Sequence, residues 1–426
     1  MFVKFKVKNF KSFKDLTEFS MESTKLKNLK DANTFSINNI SLLKSAVVYG
    51  ANASGKSSLL DAMETMRQII KNSVSIEKTK KYFHQSFFLN VDTEMQEIFF
   101  EKEFIIDEIL YRYGFEIAKD ATILQEWLYQ KKLQPKAREV RLFKRDLQSI
   151  ELGPLFKEGK LIEDKTRENA LFLSVVAQFN GEISESILSW FEKLNILSNI
   201  NNETFKRYSF NKLEDEKFKN KIVKFIKSAD LNIYDISKKN ISFDELKKDN
   251  KELEKLPDFV LSELKEKGLS TIETMHMQYN EDNSFERFKS FDLSFESDGT
   301  QKLLALAAPI IETLTDGAVL VIDELDNSIH TELVKAIVKL FNSKENNPNN
   351  AQLIFTTHDT NLLSQELFRR DQIWFVSKDI YGVSELYSLV EYGRGTARND
   401  LILEKNYLDG KFGAKPYINS LVCEDD

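Results

Sequence analysis

A single cysteine, Cys423, in a chain of 426 residues excludes an intrachain disulfide framework and a thiolate metal site, and fits a reducing, cytoplasmic setting. Proline and glycine are also scarce, at six and fourteen. That scarcity argues against disordered, low-complexity sequence and for many surface helices. Long apolar runs are missing. The longest, Leu303 to Ile311, contains Pro309 and stops at Glu312, well short of a bilayer span, so no membrane is expected. Nor does the start resemble a secretion signal, because lysines alternate with Val3, Phe5 and Val7 in the pattern of a strand with one buried face. No excess of one charge announces a nucleic-acid or anionic-membrane partner, since 60 basic residues face 67 acidic ones for a net charge of -7. His84, His276 and His330 show no metal-ligand spacing and receive packing or surface roles.

What is present is enough apolar sequence, 42% hydrophobic and 12% aromatic, to bury a real core, in a length that suits two domains or one domain with a large insertion. Residues 1–130 read as β-rich, with strands at Val3 to Val7, Ala46 to Tyr49, Ile98 to Phe100, Ile109 to Ile117 and Ile123 to Tyr129. One helix interrupts them, because Leu59, Leu60, Met63, Met66, Ile69 and Ile70 follow helical spacing. Residues 131–290 shift toward Lys, Glu, Asn and Ser, and amphipathic stretches at Glu182 to Leu197, Lys217 to Ile226 and Phe243 to Lys267 predict a mainly helical insertion. Residues 291–426 return to an alternation of helix and strand that implies a parallel sheet: helix Thr300 to Leu314, strand Ala318 to Ile322, helix His330 to Phe341, and strands Gln352 to Thr356 and Ile373 to Val376.

Three stretches carry chemistry. Gly50-Ala51-Asn52-Ala53-Ser54-Gly55-Lys56-Ser57, followed by Ser58, has Walker A spacing between a buried strand and a helix. Backbone N–H groups of such a loop close around phosphate oxygens at a helix N-terminus, Lys56 reaches the β- and γ-phosphates of ATP, and the Ser57 hydroxyl binds Mg²⁺. Ala318 to Ile322 is an apolar strand ending in adjacent carboxylates, which can take different tasks: Asp323 holding Mg²⁺ and Glu324 orienting or deprotonating the attacking water. Phe295-Glu296-Ser297-Asp298-Gly299-Thr300-Gln301-Lys302 opens a helix just upstream; by itself it reads as a Ser/Asp helix cap, or as another anion site at a helix start. The basic stretch Lys131 to Arg145 fits either a phosphate-tracking surface or a solvated hairpin.

The order of these motifs resembles the ABC-type ATPases of the SMC and RecF kind, and the opening Val7-Lys8-Asn9-Phe10-Lys11-Ser12-Phe13 looks like the first strand of that group. More narrowly, Ser297 to Gln301, Asp323 to His330, Ala351 to Thr360, Arg370 to Phe375 and Tyr407 to Pro416 are similar to the AAA-type ATPases of bacterial phage defence, of the RloA, PARIS AriA and abortive-infection kinds. The resemblance implies an α/β fold: an ABC-ATPase-like P-loop head, mixed sheet plus antiparallel β lobe, carrying the insertion. It also implies that Ser297, Gly299, Thr300 and Gln301 cap the γ-phosphate held by a second copy, that His358 is the switch histidine, and that Asp326 belongs to a loop joining two nucleotide sites. Implied partners are a second copy in a nucleotide-sandwich dimer, a separately encoded effector such as a nuclease, and a DNA or phage-protein trigger. Lys11, Gln85, Arg394 and Arg398 are further positional candidates for nucleotide or interface contacts. A second reading is a DNA-maintenance ATPase of RecF type, gripping DNA through the insertion and the basic stretch.

Overall fold

The computed structural model describes residues 1–75, 85–197, 208–229, 232–249, 258–267, 269–391 and 403–414. The chain forms two compact units, one of residues 1–199, 313–327 and 334–426, the other of residues 200–312 and 328–333.

The first unit opens with strands β1 (Phe2–Lys8) and β2 (Thr17–Ser20), a small hairpin of β3 (Thr34–Ile37) and β4 (Ile40–Leu43), and β5 (Ser45–Gly50), which feeds helix α1 (Lys56–Asn72). Then come β6 (Ile98–Ile106), β7 (Ile109–Ile117), β8 (Ile123–Lys132), β9 (Val140–Asp146) and β10 (Ser149–Leu152), helices α2 (Phe172–Gln178) and α3 (Glu182–Glu192), and β11 (Leu194–Leu197). An antiparallel sheet of order β10-β9-β8-β7-β6-β1-β2 is the β lobe.

The second unit holds helix α4 (Glu216–Ser228), β12 (Asp235–Ile241), α5 (Phe243–Asp249), α6 (Asp258–Lys267), β13 (Leu269–Tyr279) and β14 (Phe285–Asp292), with the three strands paired antiparallel in that order. Helix α7 (Asp298–Asp316) follows. The remaining elements are β15 (Val319–Ile322), α8 (Thr331–Asn342), β16 (Gln352–Thr356), β17 (Ile373–Lys378), β18 (Ser384–Ser388) and α9 (Leu403–Leu408).

A second sheet of the first unit has the order β11-β15-β16-β5-β17-β18, parallel except for the β17–β18 hairpin. Its central strands are buried on both faces, which is why they read as unbroken apolar runs. Ala46 and Val48 of β5, Val321 and Ile354 join one core with the apolar face of α1 and the aromatic face of the β lobe, Phe2, Phe5, Phe100 and Phe104 among them. Tyr49 points the other way, against Phe375 and Tyr407.

The architecture is the mixed α/β head with an antiparallel lobe that was expected. The internal boundaries differ. The β lobe runs past residue 130 through β9 and β10, because Leu142, Phe143 and Arg145 are buried while Lys144 and Asp146 face solvent. The expected helix Glu182 to Leu197 splits into α3 and β11, since Leu194–Leu197 pairs in parallel with β15. The expected mainly helical insertion contains a three-stranded sheet in its described residues, and residues 291–312 fall in the second unit. Among the described residues, no helix is long and apolar enough to cross a membrane.

Candidate nucleotide site

Strand β5 delivers the loop at Gly50, where a Cβ would lie 2.5 Å from both the Val376 carbonyl and Ser54 Oγ. Ala53 adopts a left-handed φ of 60°, and Gly55, at φ 118°, sits where a Cβ would meet Ser384 Oγ at 2.5 Å and Ser12 Oγ at 2.7 Å. Only glycine fits there, on both counts. Ser384 pins the loop, its Oγ donating to the Ser54 carbonyl at 2.5 Å and its N–H to the Ser12 carbonyl at 2.7 Å. Asn52 and Ala53 are exposed, Ser57 and Ser58 half-buried. No side chain caps the N-terminus of α1, which leaves its first N–H groups and the positive end of its dipole for an anion.

Lys56 is buried and folds back over the loop, Nζ donating to the carbonyls of Gly50 at 2.8 Å and Ala51 at 3.1 Å. Burial lowers its pKa to about 8, against the opposing pull of the Asp323, Glu324 and Asp326 carboxylates. Strand β16, between β5 and β15, brings the other groups alongside. Thr356 Oγ1 donates to Asp323 Oδ1 at 2.6 Å and accepts the Glu324 N–H at 2.7 Å. Glu324 itself holds a left-handed φ of 47°, a strained conformation for a non-glycine residue. Just beyond β16, His358 places Nδ1 3.5 Å from Lys56 Nζ and Nε2 3.7 Å from Glu324 Oε1, while its N–H donates to Asp326 Oδ2 at 3.2 Å. Burial, and next the Lys56 charge, lower the His358 pKa, so the ring is neutral at pH 7. Asp326 Oδ1 and Ser54 Oγ are buried with no hydrogen-bond partner.

These residues are far apart in sequence, yet Lys56, Asp323, Glu324, Asp326 and His358 converge, with Thr356 and Ser384 as unforeseen members. Lys11 Nζ pairs with Asp61 of α1 at 2.5 Å, its N–H bonds the Gln85 carbonyl, and Gln85 Oε1 is buried without a partner. Arg394, Arg398 and His84 lie outside the described residues. In the second unit, Ser297 Oγ accepts the Thr300 N–H at 3.2 Å and lies 2.9 Å from Thr300 Oγ1, capping α7, while Gln301 Nε2 donates to the Glu296 carbonyl. Glu296 Oε1 is held by Thr274 Oγ1 and by His276 Nε2 at 2.7 Å. A Cβ on Gly299 would lie 2.5 Å from the Ser328 carbonyl. His330 Nδ1 accepts the Glu332 N–H. The basic stretch is the β8–β9 hairpin, and its Arg145 is wholly buried, donating to the carbonyls of Leu147, Ala170, Arg167 and Glu168.

The arrangement suits phosphate with a hard cation. A hydroxyl and a carboxylate are oxygen donors of the type Mg²⁺ takes, and the described residues contain no group of three or more acidic, His or Cys side chains set to hold an ion by themselves. A family model described as AAA domain, putative AbiEii toxin, type IV TA system, matches residues 45–364. The SMC head domain from Thermotoga maritima is similar in structure over 91% of this chain and 98% of its own, at 14% identity and a TM-score of 0.40. No curated protein matches the chain.

Proposed function

Because the chain belongs to the family of AAA domains described as the putative AbiEii toxin of type IV toxin–antitoxin systems, we propose that it is an ATP-hydrolysing switch whose site is completed by a second copy. The observation that carries this reading is the Thr356 hydroxyl, which ties Asp323 and the backbone of Glu324 together beside Lys56 and His358. Ser57 and Asp323 would hold Mg²⁺, which when bound neutralises phosphate charge. Lys56 leaves the Gly50 and Ala51 carbonyls for the β- and γ-phosphate oxygens. Glu324, nearly half exposed, takes the proton of the attacking water, and neutral His358 donates to the γ-phosphate. Ser297, Gly299, Thr300 and Gln301 of the second copy approach from the opposite side, with Asp326 in the loop between sites. A two-fold pairing satisfies both sites at once. Loss of the γ-phosphate then removes binding energy that only the closed dimer enjoys.

The biological role in this reading is a sensor or scaffold in antiphage, abortive-infection defence that controls a separately encoded effector, a nuclease being the expected kind. The family's toxin–antitoxin description supports it. The test is molar mass and phosphate release for wild type and Glu324→Gln, with and without ATP and Mg²⁺. Glu324→Gln is expected to stop turnover and accumulate an ATP-dependent dimer, lost again when Lys56→Ala or Ser297→Arg is added. Normal hydrolysis by Glu324→Gln, with a mass indifferent to nucleotide, would overturn the proposal.

A further inference from the structure

The sheet of the second unit buries one of its faces and leaves much of the other, toward the hairpin tip, exposed. Ile236, Ile272 and Thr274 are buried on one side. On the other, antiparallel pairing sets Met277 opposite Phe288, and the register shift at Tyr279 sets that residue opposite Phe285, so all four share a face. Tyr234 extends the group, its ring 4.2 Å from that of Phe288, which is in turn 5.0 Å from Phe285. Tyr279 donates to Met277 Sδ. These five side chains are 38% to 55% exposed, a contiguous aromatic surface of a kind that soluble proteins seldom leave without a use.

Charge narrows the occupant. Lys227 Nζ lies 4.4 Å from the Tyr234 ring centroid, at the end of α4, and α4 carries Lys217, Lys219, Lys221, Lys224 and Lys227 against a single acid, Glu216. All of these lysines but Lys219, which pairs with Asp235, are exposed. In a chain of net charge -7 this is a local inversion of sign. The hairpin tip bears Glu281, Asp282 and Glu286, and Asp235, Glu273 and Asp292 lie on the same face as Met277, the first paired with Lys219, the second with Lys239 and the third bonded by the Thr271 hydroxyl, so the cationic flank is the α4 side alone. Flat aromatic faces with lysines along one flank match unstacked bases on a phosphate backbone, whereas a duplex keeps its base faces hidden.

We propose that the exposed face of the β12–β14 sheet, with α4, is a binding platform for single-stranded nucleic acid, in which Tyr234, Phe285 and Phe288 stack bases and Lys221, Lys224 and Lys227 neutralise phosphates. The platform is independent of the nucleotide site. Fluorescence anisotropy with a labelled oligothymidylate of about twenty nucleotides, and the matching duplex, tests it on the full chain. Tyr234→Leu/Phe288→Leu, which keeps apolar bulk and so the fold, is expected to weaken strand binding at least about tenfold. Lys224→Glu/Lys227→Glu is expected to flatten the dependence of log affinity on log salt by about 1.4. Both variants keep basal ATP turnover. No strand binding by wild type at low salt, tighter binding of the duplex, or an aromatic variant with undiminished strand affinity each overturns the proposal; so does an aromatic variant that loses only self-association, which would make the face a protein contact.

Discussion

Thr356 shows how little side chain is needed to couple two acids. Its single hydroxyl orients one oxygen of Asp323 and fixes the backbone N–H of Glu324, a residue otherwise held at an unfavourable φ. Replacing it with valine conserves shape and removes both bonds. A hydrogen bond to a charged group is worth about 1.5–3 kcal/mol, so Thr356→Val is expected to lower the ATPase kcat roughly 10- to 100-fold, with Thr356→Ser retaining most of it. Steady-state phosphate release decides, and wild-type kcat in the valine variant would remove Thr356 from the site. Lys56, Asp323 and Glu324 could be picked out in the sequence because each stands at the end of an apolar strand or in a glycine loop, and His358 only through the resemblance of the motif order to the ABC-type ATPases. Thr356 could not, because threonine inside an apolar strand is an ordinary β-former. Ser12 and Ser384 were equally hidden, for their contact with Gly55 joins opposite ends of the chain.

Among elements, the junction of the β lobe with α2 buries a charged pair. Glu126 of β8 is fully buried and accepts the N–H groups of Phe172 and Leu173, capping α2, as well as the Tyr113 hydroxyl. Burial raises its pKa, and the Arg145 guanidinium, 3.6 Å away on β9, opposes the rise. Removing one partner of such a pair costs far more than removing both. Arg145→Met is therefore expected to lose about 3–5 kcal/mol in urea unfolding, and Glu126→Gln added to it to recover part of that loss. No recovery in the double variant would show that the carbonyl contacts of Arg145, and not the ion pair, carry the cost. The same element settles the two readings of the basic stretch in favour of a hairpin, though nothing local in the sequence marks Arg145 as the arginine that turns inward. Likewise Leu194–Leu197 looked helical because a four-residue apolar run has no period of its own, and its partner strand lies over a hundred residues away. The β13–β14 hairpin was invisible for the opposite reason: most of β14 is exposed, so burial imposes no apolar alternation on it.

For the molecule as a whole, if Lys56 holds the phosphates as proposed, nucleotide and proton binding are linked through it. An ammonium that loses its proton near pH 8 in the free protein must regain it to bind phosphate. The rise in Tm that ATP produces is thus expected to be constant below about pH 8 and to shrink above it, as affinity falls toward tenfold per pH unit. The effect on the free fold has the opposite sign. Between about 8 and the ordinary lysine value of 10.5 the unfolded chain binds more protons, so this group makes the folded state relatively more stable as pH rises. A Tm shift by ATP that does not diminish between pH 8 and 10 would separate Lys56 from the phosphates.

The position of β16 also limits what kind of machine this can be. It is paired rung by rung with β15 on one side and β5 on the other, all in parallel and in continuous register. A strand locked on both edges cannot slip to report what is bound at its end, because a one-residue slide would turn every buried side chain to the wrong face. The sheet behaves as a chassis: the distance from phosphate loop to acid pair is fixed when the chain folds. In the proposed switch, any difference between ATP and ADP would then be expressed by rotation of side chains at the strand ends and by the second copy closing on this frame.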